Sequence, residues 1–167
     1  MEFLDIVNDK DDVTGKASKK EIYEKLLMHR IVHVMIFNNK GQLALQLRSK
    51  QCSFCPTHWS TSAAGHVSSD ESYEQAARRE LKEELGITSK LEFQYKDIYK
   101  DTRPLKKILV TFKTTYNGQF KPNPKEVEKI QFFSLKNIQK MINNKEKFHP
   151  ELLFLLRKHF GFKKSLN

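Results

Sequence analysis

GHVSSDESYEQAARRELKEELGI, running from Gly65 to Ile87, concentrates acid in a chain that is otherwise basic. Lys and Arg number 30 against 20 Asp and Glu, a formal charge of +10, yet this stretch carries Asp70, Glu71, Glu74, Glu80, Glu83 and Glu84. Ser72-x-x-Gln75 has the form of a capping box, which opens a helix by satisfying backbone donors in its first turn, and Gly86 supplies the stop. Between them Tyr73, Ala77, Leu81 and Leu85 recur every four residues, one apolar stripe to pack on a core. Glu80 stands three and four positions before Glu83 and Glu84. Three carboxylates therefore crowd one side of two turns, where like-charged pairs cost roughly 0.2–0.5 kcal/mol each. A hard divalent cation accounts for the crowding, because Mg²⁺ takes one or two carboxylates together with substrate phosphates and keeps several waters. Arg79, four positions before Glu83, is placed to orient a carboxylate by hydrogen bonding.

The spacing Gly65, five residues, Glu71, seven residues, then Arg79-Glu80-Leu81-x-Glu83-Glu84-x-Gly86-Ile87 resembles the Nudix box, the signature of Nudix hydrolases, at every fixed position. The resemblance implies the Nudix fold, an α/β architecture with a mixed β-sheet sandwiched between α-helices. It implies that Glu80, Glu83 and Glu84 hold Mg²⁺ or Mn²⁺, with the Gly65 carbonyl as a further ligand, and that Arg79 and Glu71 form a positioning pair. The plainer reading of the same residues is a surface helix with an acidic, solvated face.

At 167 residues the chain fits a single domain, residues 1–167, large enough to bury a core. The opening MEFLDIVNDKDD has neither the basic nor the apolar region of a signal peptide. Apolar runs such as Ile31 to Phe37 fall far short of the ~20 residues that span a bilayer. A soluble, cytoplasmic protein without a membrane partner is expected. Cys52 and Cys55 stand too close together to staple distant parts of a fold, which fits a reducing compartment. The basic surplus is spread over Lys19-Lys20, Arg103 to Lys107, Lys136 to Lys147 and Arg157 to Lys164. It serves solubility, or attraction of anionic substrates or nucleic acid. With no dense patch or RNA-binding motif, a small-molecule diphosphate is the expected partner and nucleic acid is not. Monomer and homodimer are both compatible with the sequence.

Along the chain, Phe3 to Val7 and the Val13 region, separated by Asn8 to Asp12, predict a hairpin. Ser18-x-x-Glu21 opens a helix over Lys19 to Met28. Strands over Ile31 to Phe37 and Gln42 to Leu47 flank the turn Asn38-Asn39-Lys40-Gly41. Arg48 to His58 reads as loop, and Trp59 to Ala64 as a short extended piece delivering Gly65 to the acidic helix. Further strands are expected over Leu91 to Tyr99, Lys107 to Tyr116 and Lys129 to Phe133. Ser134 starts a short helix to Asn143, and Pro150 starts the last helix, with Leu152, Leu153, Leu155, Leu156 and Phe160 for the core.

LDIVNDKDDVTGKASKKEIYEKLLMHRIVHVMIFNNKGQLALQLRS, followed by WSTSAAGHV, resembles the Nudix branch that includes type 1 isopentenyl-diphosphate isomerases and their hydrolase relatives. In the isomerases a catalytic cysteine precedes the Gly-His that opens the box; here Ala64 stands there, and a methyl group protonates nothing. Of the isomerase metal ligands, His29 and His66 match two histidines, Ile22 replaces the third, and Leu105 and Lys107 sit where two glutamates would be. The hydrolase set Glu80, Glu83 and Glu84 is complete, which favours hydrolysis.

A diphosphate resists attack because its oxygens repel a nucleophile and neutral water is a poor one. A bound cation meets both problems by neutralising charge and lowering the pKa of water. A carboxylate beside it can take the proton. In the family this base is the first helix glutamate, here Glu80, or an acid on a later loop, for which Glu126 and Glu128 are the candidates; either of these could equally belong to a solvated face. Glu80 is preferred. His66 could touch metal or phosphate, or serve as a structural hydrogen-bonder. His33, in an apolar strand, reads as a satisfied core residue, and His29 has no stronger claim. Cys52-x-x-Cys55-x-x-His58 falls one ligand short of a structural zinc site. Phe54, Trp59, Tyr95 and Phe132 could stack on a nucleobase or belong to the core. The sequence thus points to a metal-dependent Nudix hydrolase cleaving a diphosphate (pyrophosphate) linkage in a nucleoside diphosphate derivative or related small molecule. The alternatives are an isopentenyl-diphosphate isomerase-like enzyme and a non-catalytic nucleotide-binding or regulatory module.

Overall fold

The nearly continuous burial of β3 (His29–Phe37) gives the computed structural model, which describes residues 1–164, its two-sided core. Val32, Val34 and Ile36 point to one face and pack with Ala76, Ala77, Leu81 and Leu85 of α2 (Tyr73–Leu85). Ile31 and Met35 point to the other and meet Ile138 of α3 (Leu135–Asn143) and Leu152, Leu155 and Leu156 of α4 (Pro150–Phe160). Burial of each such Leu or Ile stabilises the fold by about 1.5–3 kcal/mol before entropy is charged against it. The expected sandwich of a mixed sheet between helices is therefore the observed architecture. Of the residues expected to anchor α4, Leu153 and Phe160 lie half-buried at the margin.

The remaining elements arrive in chain order. β1 (Phe3–Val7) and β2 (Val13–Ser18) form a two-stranded hairpin. Its turn is held by Asn8 Oδ1, which accepts from the backbone of Lys10 and Asp12 at 2.9 and 3.0 Å. α1 (Lys19–Glu24) follows, capped by Ser18, and ends four residues short of the expected Met28. Leu26 takes a left-handed conformation, φ 55°, which no α-helix continues through, and the chain re-enters as strand at His29. β4 (Leu43–Arg48), β5 (Trp59–Ser60), β6 (Ala63–His66), β7 (Glu92–Lys100), β8 (Lys106–Thr115) and β9 (Val127–Phe133) complete the main sheet. Its order is β5-β4-β3-β8-β7, with β6 on β3 and β9 on β4. β3 and β8 run parallel, and the other pairs antiparallel.

One departure from a continuous sheet makes the cavity. β3 pairs with β4 only at Phe37↔Leu43, then leaves it and takes β6 over Ile31 to Val34. Ser62 sits in the fork. Its hydroxyl accepts from Ile36 N at 2.8 Å and donates to Ala44 O at 2.6 Å, standing in for a ladder bond between the diverging strands. The extended piece expected over Trp59 to Ala64 is for this reason two strands broken at Thr61 and Ser62. No helix among the described residues is long and apolar enough to cross a membrane.

Candidate active site

The acidic helix begins as its sequence requires. Ser72 Oγ accepts from Gln75 N at 3.2 Å while Gln75 Oε1 accepts from Ser72 N at 2.8 Å, and Gly86 closes the helix at φ 65°. Leu81 and Leu85 anchor one stripe in the core, which turns Glu80 and Glu84 toward β6. Gly65 is a requirement of that approach: a Cβ there would lie 2.0 Å from Glu80 Oε1. Only a residue without a side chain lets this strand and this carboxylate meet.

Arg79 knits the cluster together. Its Nε and Nη2 donate to the two oxygens of Glu71, both at 2.9 Å; Nη2 also reaches the His66 carbonyl at 2.9 Å, and Nη1 reaches Glu80 Oε1 at 2.6 Å and Glu83 Oε2 at 3.4 Å. Burial would raise the Glu71 pKa, but the Arg79 hydrogen bonds outweigh it and hold the carboxyl below its ordinary range.

Glu80 and Glu84 are not so compensated. Burial pushes Glu80 up to about 7 despite Arg79, with Glu83 and Glu126 adding repulsion. Burial also pushes Glu84 up to about 8, with the neighbouring Glu80 charge adding to it. One Glu84 oxygen, Oε2, takes both of its hydrogen bonds, from Gln46 Nε2 at 2.8 Å and from Ala64 N at 3.1 Å. Two buried carboxylates that oppose each other's ionisation are what a divalent cation would neutralise, so the donor set suits Mg²⁺ or Mn²⁺. Among the described residues no three His, Cys, Asp or Glu side chains converge into a complete ligand cage, and Glu83 is exposed. Mg²⁺ asks for no such cage, since it binds through one or two carboxylates and completes its shell with water and phosphate.

The cluster opens into a cavity of about 800 Å³ lined by Gly65, Arg79, Glu80, Glu83, Glu84 and Glu126. Glu126 is held there by its backbone: its carbonyl accepts from Ser49 N at 2.9 Å and from Cys52 Sγ at 3.4 Å. Glu128 is exposed and lines no part of the cavity.

The opposite wall carries groups that no spacing in the box announces. Lys107 Nζ donates to Glu151 Oε1 at 2.8 Å, and His33 Nε2 meets Glu151 Oε2 at 2.9 Å. Burial opposes ionisation of Glu151, but the His33 hydrogen bond and the Lys107 charge hold its pKa far below the carboxylate range. His149 caps α4 by accepting from Glu151 N at 3.2 Å. Tyr23 Oη lies 2.7 Å from His66 Nε2, and the rings of His66 and His29 stack with centroids 5.5 Å apart. Burial keeps His29 and His149 neutral, with pKa values lowered to about 4, and holds His66 well below its ordinary value.

The structure thus brings Gly65, Arg79, Glu80, Glu83, Glu84 and Glu126 together, with Glu71 behind Arg79. His33 is buried and satisfied as expected, yet it also faces the cavity. Phe54 lines the mouth, its ring set edge-on to His149 at 5.4 Å. The other aromatic candidates do not line it: Trp59 packs edge-on to Phe133, Tyr95 stacks on His159 at 3.6 Å, and Phe132 packs on the core. Cys52 and Cys55 are free thiols, and His58 Nδ1 lies 2.8 Å from the Pro56 carbonyl, so no zinc grouping forms among the described residues. At the isomerase-like positions, Ile22 and Leu105 are fully buried hydrocarbon side chains and Lys107 is committed to Glu151. Sequence reasoning missed Gln46, Tyr23, His149 and Glu151. The one available signal was Lys107, which directly precedes the apolar run Ile108-Leu109-Val110 of its strand, because lysine is almost never fully buried unless paired.

Comparison with known proteins agrees with this geometry. The family described as NUDIX domain matches residues 27–156. An uncharacterised Nudix hydrolase of Listeria monocytogenes is 44% identical over 90 residues, 52% of this chain and 52% of that protein. The chain therefore spans about half the length of that relative. Isopentenyl-diphosphate Delta-isomerase 2 of Photorhabdus laumondii is 31% identical over 147 residues, 86% of this chain and 83% of that protein. The crystal structure of DR0079 from Deinococcus radiodurans superposes with a TM-score of 0.81 at 26% identity, covering 94% of this chain and 98% of the other. With its box intact and its helix, strand and cavity in this arrangement, the chain belongs to the Nudix family.

Proposed function

We propose that the chain is a metal-dependent hydrolase that cleaves a diphosphate linkage in a nucleoside diphosphate derivative or a related small molecule. The observation that carries this reading is the closeness of Gly65 to Glu80, beside buried Glu84, in a cavity large enough for a small molecule. Glu80, Glu83 and Glu84, with the Gly65 carbonyl, would hold Mg²⁺ or Mn²⁺. When bound, the cation neutralises phosphate charge and makes coordinated water more acidic.

The chain's own groups do the rest. Gln46 and the Ala64 amide fix Glu84 through one oxygen, and the other has no hydrogen bond among the described residues. Arg79 fixes Glu80 relative to the His66 carbonyl, so that the ligand group and the strand carrying Gly65 move as one body. Glu80 is the preferred acceptor for the proton of the attacking water. Glu126, on the same cavity and with no ion pair of its own among the described residues, is the other candidate.

An isopentenyl-diphosphate isomerase-like reading has the 31% identical Photorhabdus relative behind it. Against it stand Ala64, which has no proton to give, and Lys107, bound to Glu151. The test is a diphosphate panel with Mg²⁺ or Mn²⁺, scored for phosphate or nucleoside monophosphate and, in a parallel arm, for allylic diphosphate. Cation-dependent hydrolysis supports the proposal. Allylic product alone would favour the isomerase, and calorimetric binding without turnover a binding module.

A further inference from the structure

β6 divides the cavity, and the hydrolytic reading uses one side of it. Gly65 faces Glu80 on the α2 side, whereas Ala64 and His66 pair in register with His33 and Ile31 on the face against which α4 packs. On that second side Lys107, Glu151 and His33 are 5%, 4% and 1% exposed, and all three line the cavity. His33 is itself fixed, its Nδ1 lying 2.9 Å from Thr61 Oγ1. Packing does not need an ion pair there, since well-packed hydrocarbon of similar volume is often as stable or more so. Charges retained on a cavity wall point to something that enters the cavity.

We propose that Lys107 and Glu151 are specificity-determining residues. They read a neutral polar group, a hydrogen-bond acceptor beside a donor, on the part of the substrate remote from the scissile diphosphate. This rests on the hydrolytic reading of the same site and deepens it. After its bond to Glu151 the ammonium has two hydrogens left, and each carboxylate oxygen keeps a lone pair. The pair carries no net charge, so it attracts no second anion, and an anion drawn to Lys107 would meet Glu151. A hydrocarbon would strip water from both groups and return no hydrogen bond, the costly way to treat buried polar atoms. The edge of a heterocyclic base satisfies both partners, and so do adjacent sugar hydroxyls. Phe54, 46% exposed at the mouth, adds an aromatic surface on which a planar group can lie.

The test is calorimetry with Mg²⁺ and three methylene-bridged diphosphate probes that cannot be hydrolysed, one carrying adenosine, one carrying ribose, and one carrying a five-carbon alkyl chain. The wild-type chain is expected to bind a polar probe at least about tenfold more tightly than the alkyl probe. A preference for adenosine identifies the base edge as the group read, and equal binding of adenosine and ribose identifies the sugar. In Lys107→Met/Glu151→Leu, which keeps the charge balance and fills the volume, the ratio falls toward one while affinity for Mg²⁺ alone is unchanged. Glu151→Gln, which keeps the volume but removes the charge and one acceptor oxygen, lowers the ratio severalfold and serves if the double variant fails to fold. Equal binding of all three probes by wild type, or a ratio untouched in both variants, overturns the proposal. Wild-type turnover of the corresponding oxygen-bridged diphosphates is scored separately. Its absence beside an intact binding preference defeats the hydrolytic reading, and the preference then describes what a non-catalytic site recognises.

Discussion

Arg79 and Glu71 are joined by two parallel hydrogen bonds of 2.9 Å, the planar fork of one matched to the two oxygens of the other. The same guanidinium reaches Glu80 and the His66 carbonyl. Lysine offers a point charge and no fork, so Arg79→Lys keeps the charge and loses the geometry. A displacement of about 1 Å at a reacting centre costs on the order of 10²-fold. Arg79→Lys is therefore expected to lower kcat by roughly that factor with KM little changed, measured by steady-state kinetics on the substrate the panel identifies. An unaltered kcat would reduce the Arg79 and Glu71 pair to a surface contact.

Gly65→Ala tests the approach of strand to helix. The added methyl would lie 2.0 Å from Glu80 Oε1 and 2.1 Å from its Cδ, so the carboxyl must move. Because the obstacle is the end of a side chain, the fold should accommodate the change, with a shift in urea midpoint equivalent to less than about 1.5 kcal/mol. Activity should fall by at least about a hundredfold. Loss of fold and activity in proportion would mean that Gly65 serves packing alone.

His149 sets an acid limit on stability. Burial lowers its folded pKa to about 4, from an ordinary value of 6.5. In the unfolded chain it takes up a proton below its ordinary value, whereas in the folded chain it stays neutral down to about 4. Its contribution is therefore full above the unfolded pKa and is lost as pH falls through that window, amounting to roughly 2 kcal/mol by pH 5. His149→Asn keeps an acceptor at the cap and removes the titration. Urea unfolding should find the variant within about 1 kcal/mol of wild type at pH 7.5 and less sensitive to acid. Equal acid sensitivity would exclude His149 as the cause.

Lys107 and Glu151 should behave as a buried pair in stability as well as in recognition. Lys107→Met alone leaves the buried Glu151 carboxylate with His33 as its remaining partner and should cost roughly 3 kcal/mol, whereas Lys107→Met/Glu151→Leu should recover most of the loss. Chemical denaturation of both variants checks this. A single variant as stable as wild type would mean that the pair is hydrated and weak.

What the sequence discloses is what is encoded locally. Ser72, Gln75 and Gly86 announce both ends of the acidic helix, and the period of Ala77, Leu81 and Leu85 orients it, so Glu80 and Glu84 could be placed before any coordinates. Most of the hydrolytic half of the cavity lies within that one segment and its incoming strand, with Gln46 and Glu126 brought in from elsewhere in the chain. The other half is built from pairings 44 and 118 residues apart, Lys107 with Glu151 and His33 with Glu151, and no local period carries such information. Breaks in regular structure were missed for a related reason. Leu26 ends α1 in a left-handed conformation that leucine propensity does not suggest. Ser62 splits an extended run through hydrogen bonds to Ile36 and Ala44, which only the assembled sheet brings within reach.

The most direct test of the account is the rate of phosphate or nucleoside monophosphate release from the diphosphate panel, with and without Mg²⁺, for wild type and Glu83→Gln. Glu83 is exposed, so its substitution leaves the core intact and isolates the chemistry. The expected result is turnover that depends on the cation and falls roughly a hundredfold in the variant, about 2.7 kcal/mol of transition-state stabilisation. Turnover that proceeds without a divalent cation, or that Glu83→Gln leaves unchanged, would contradict it.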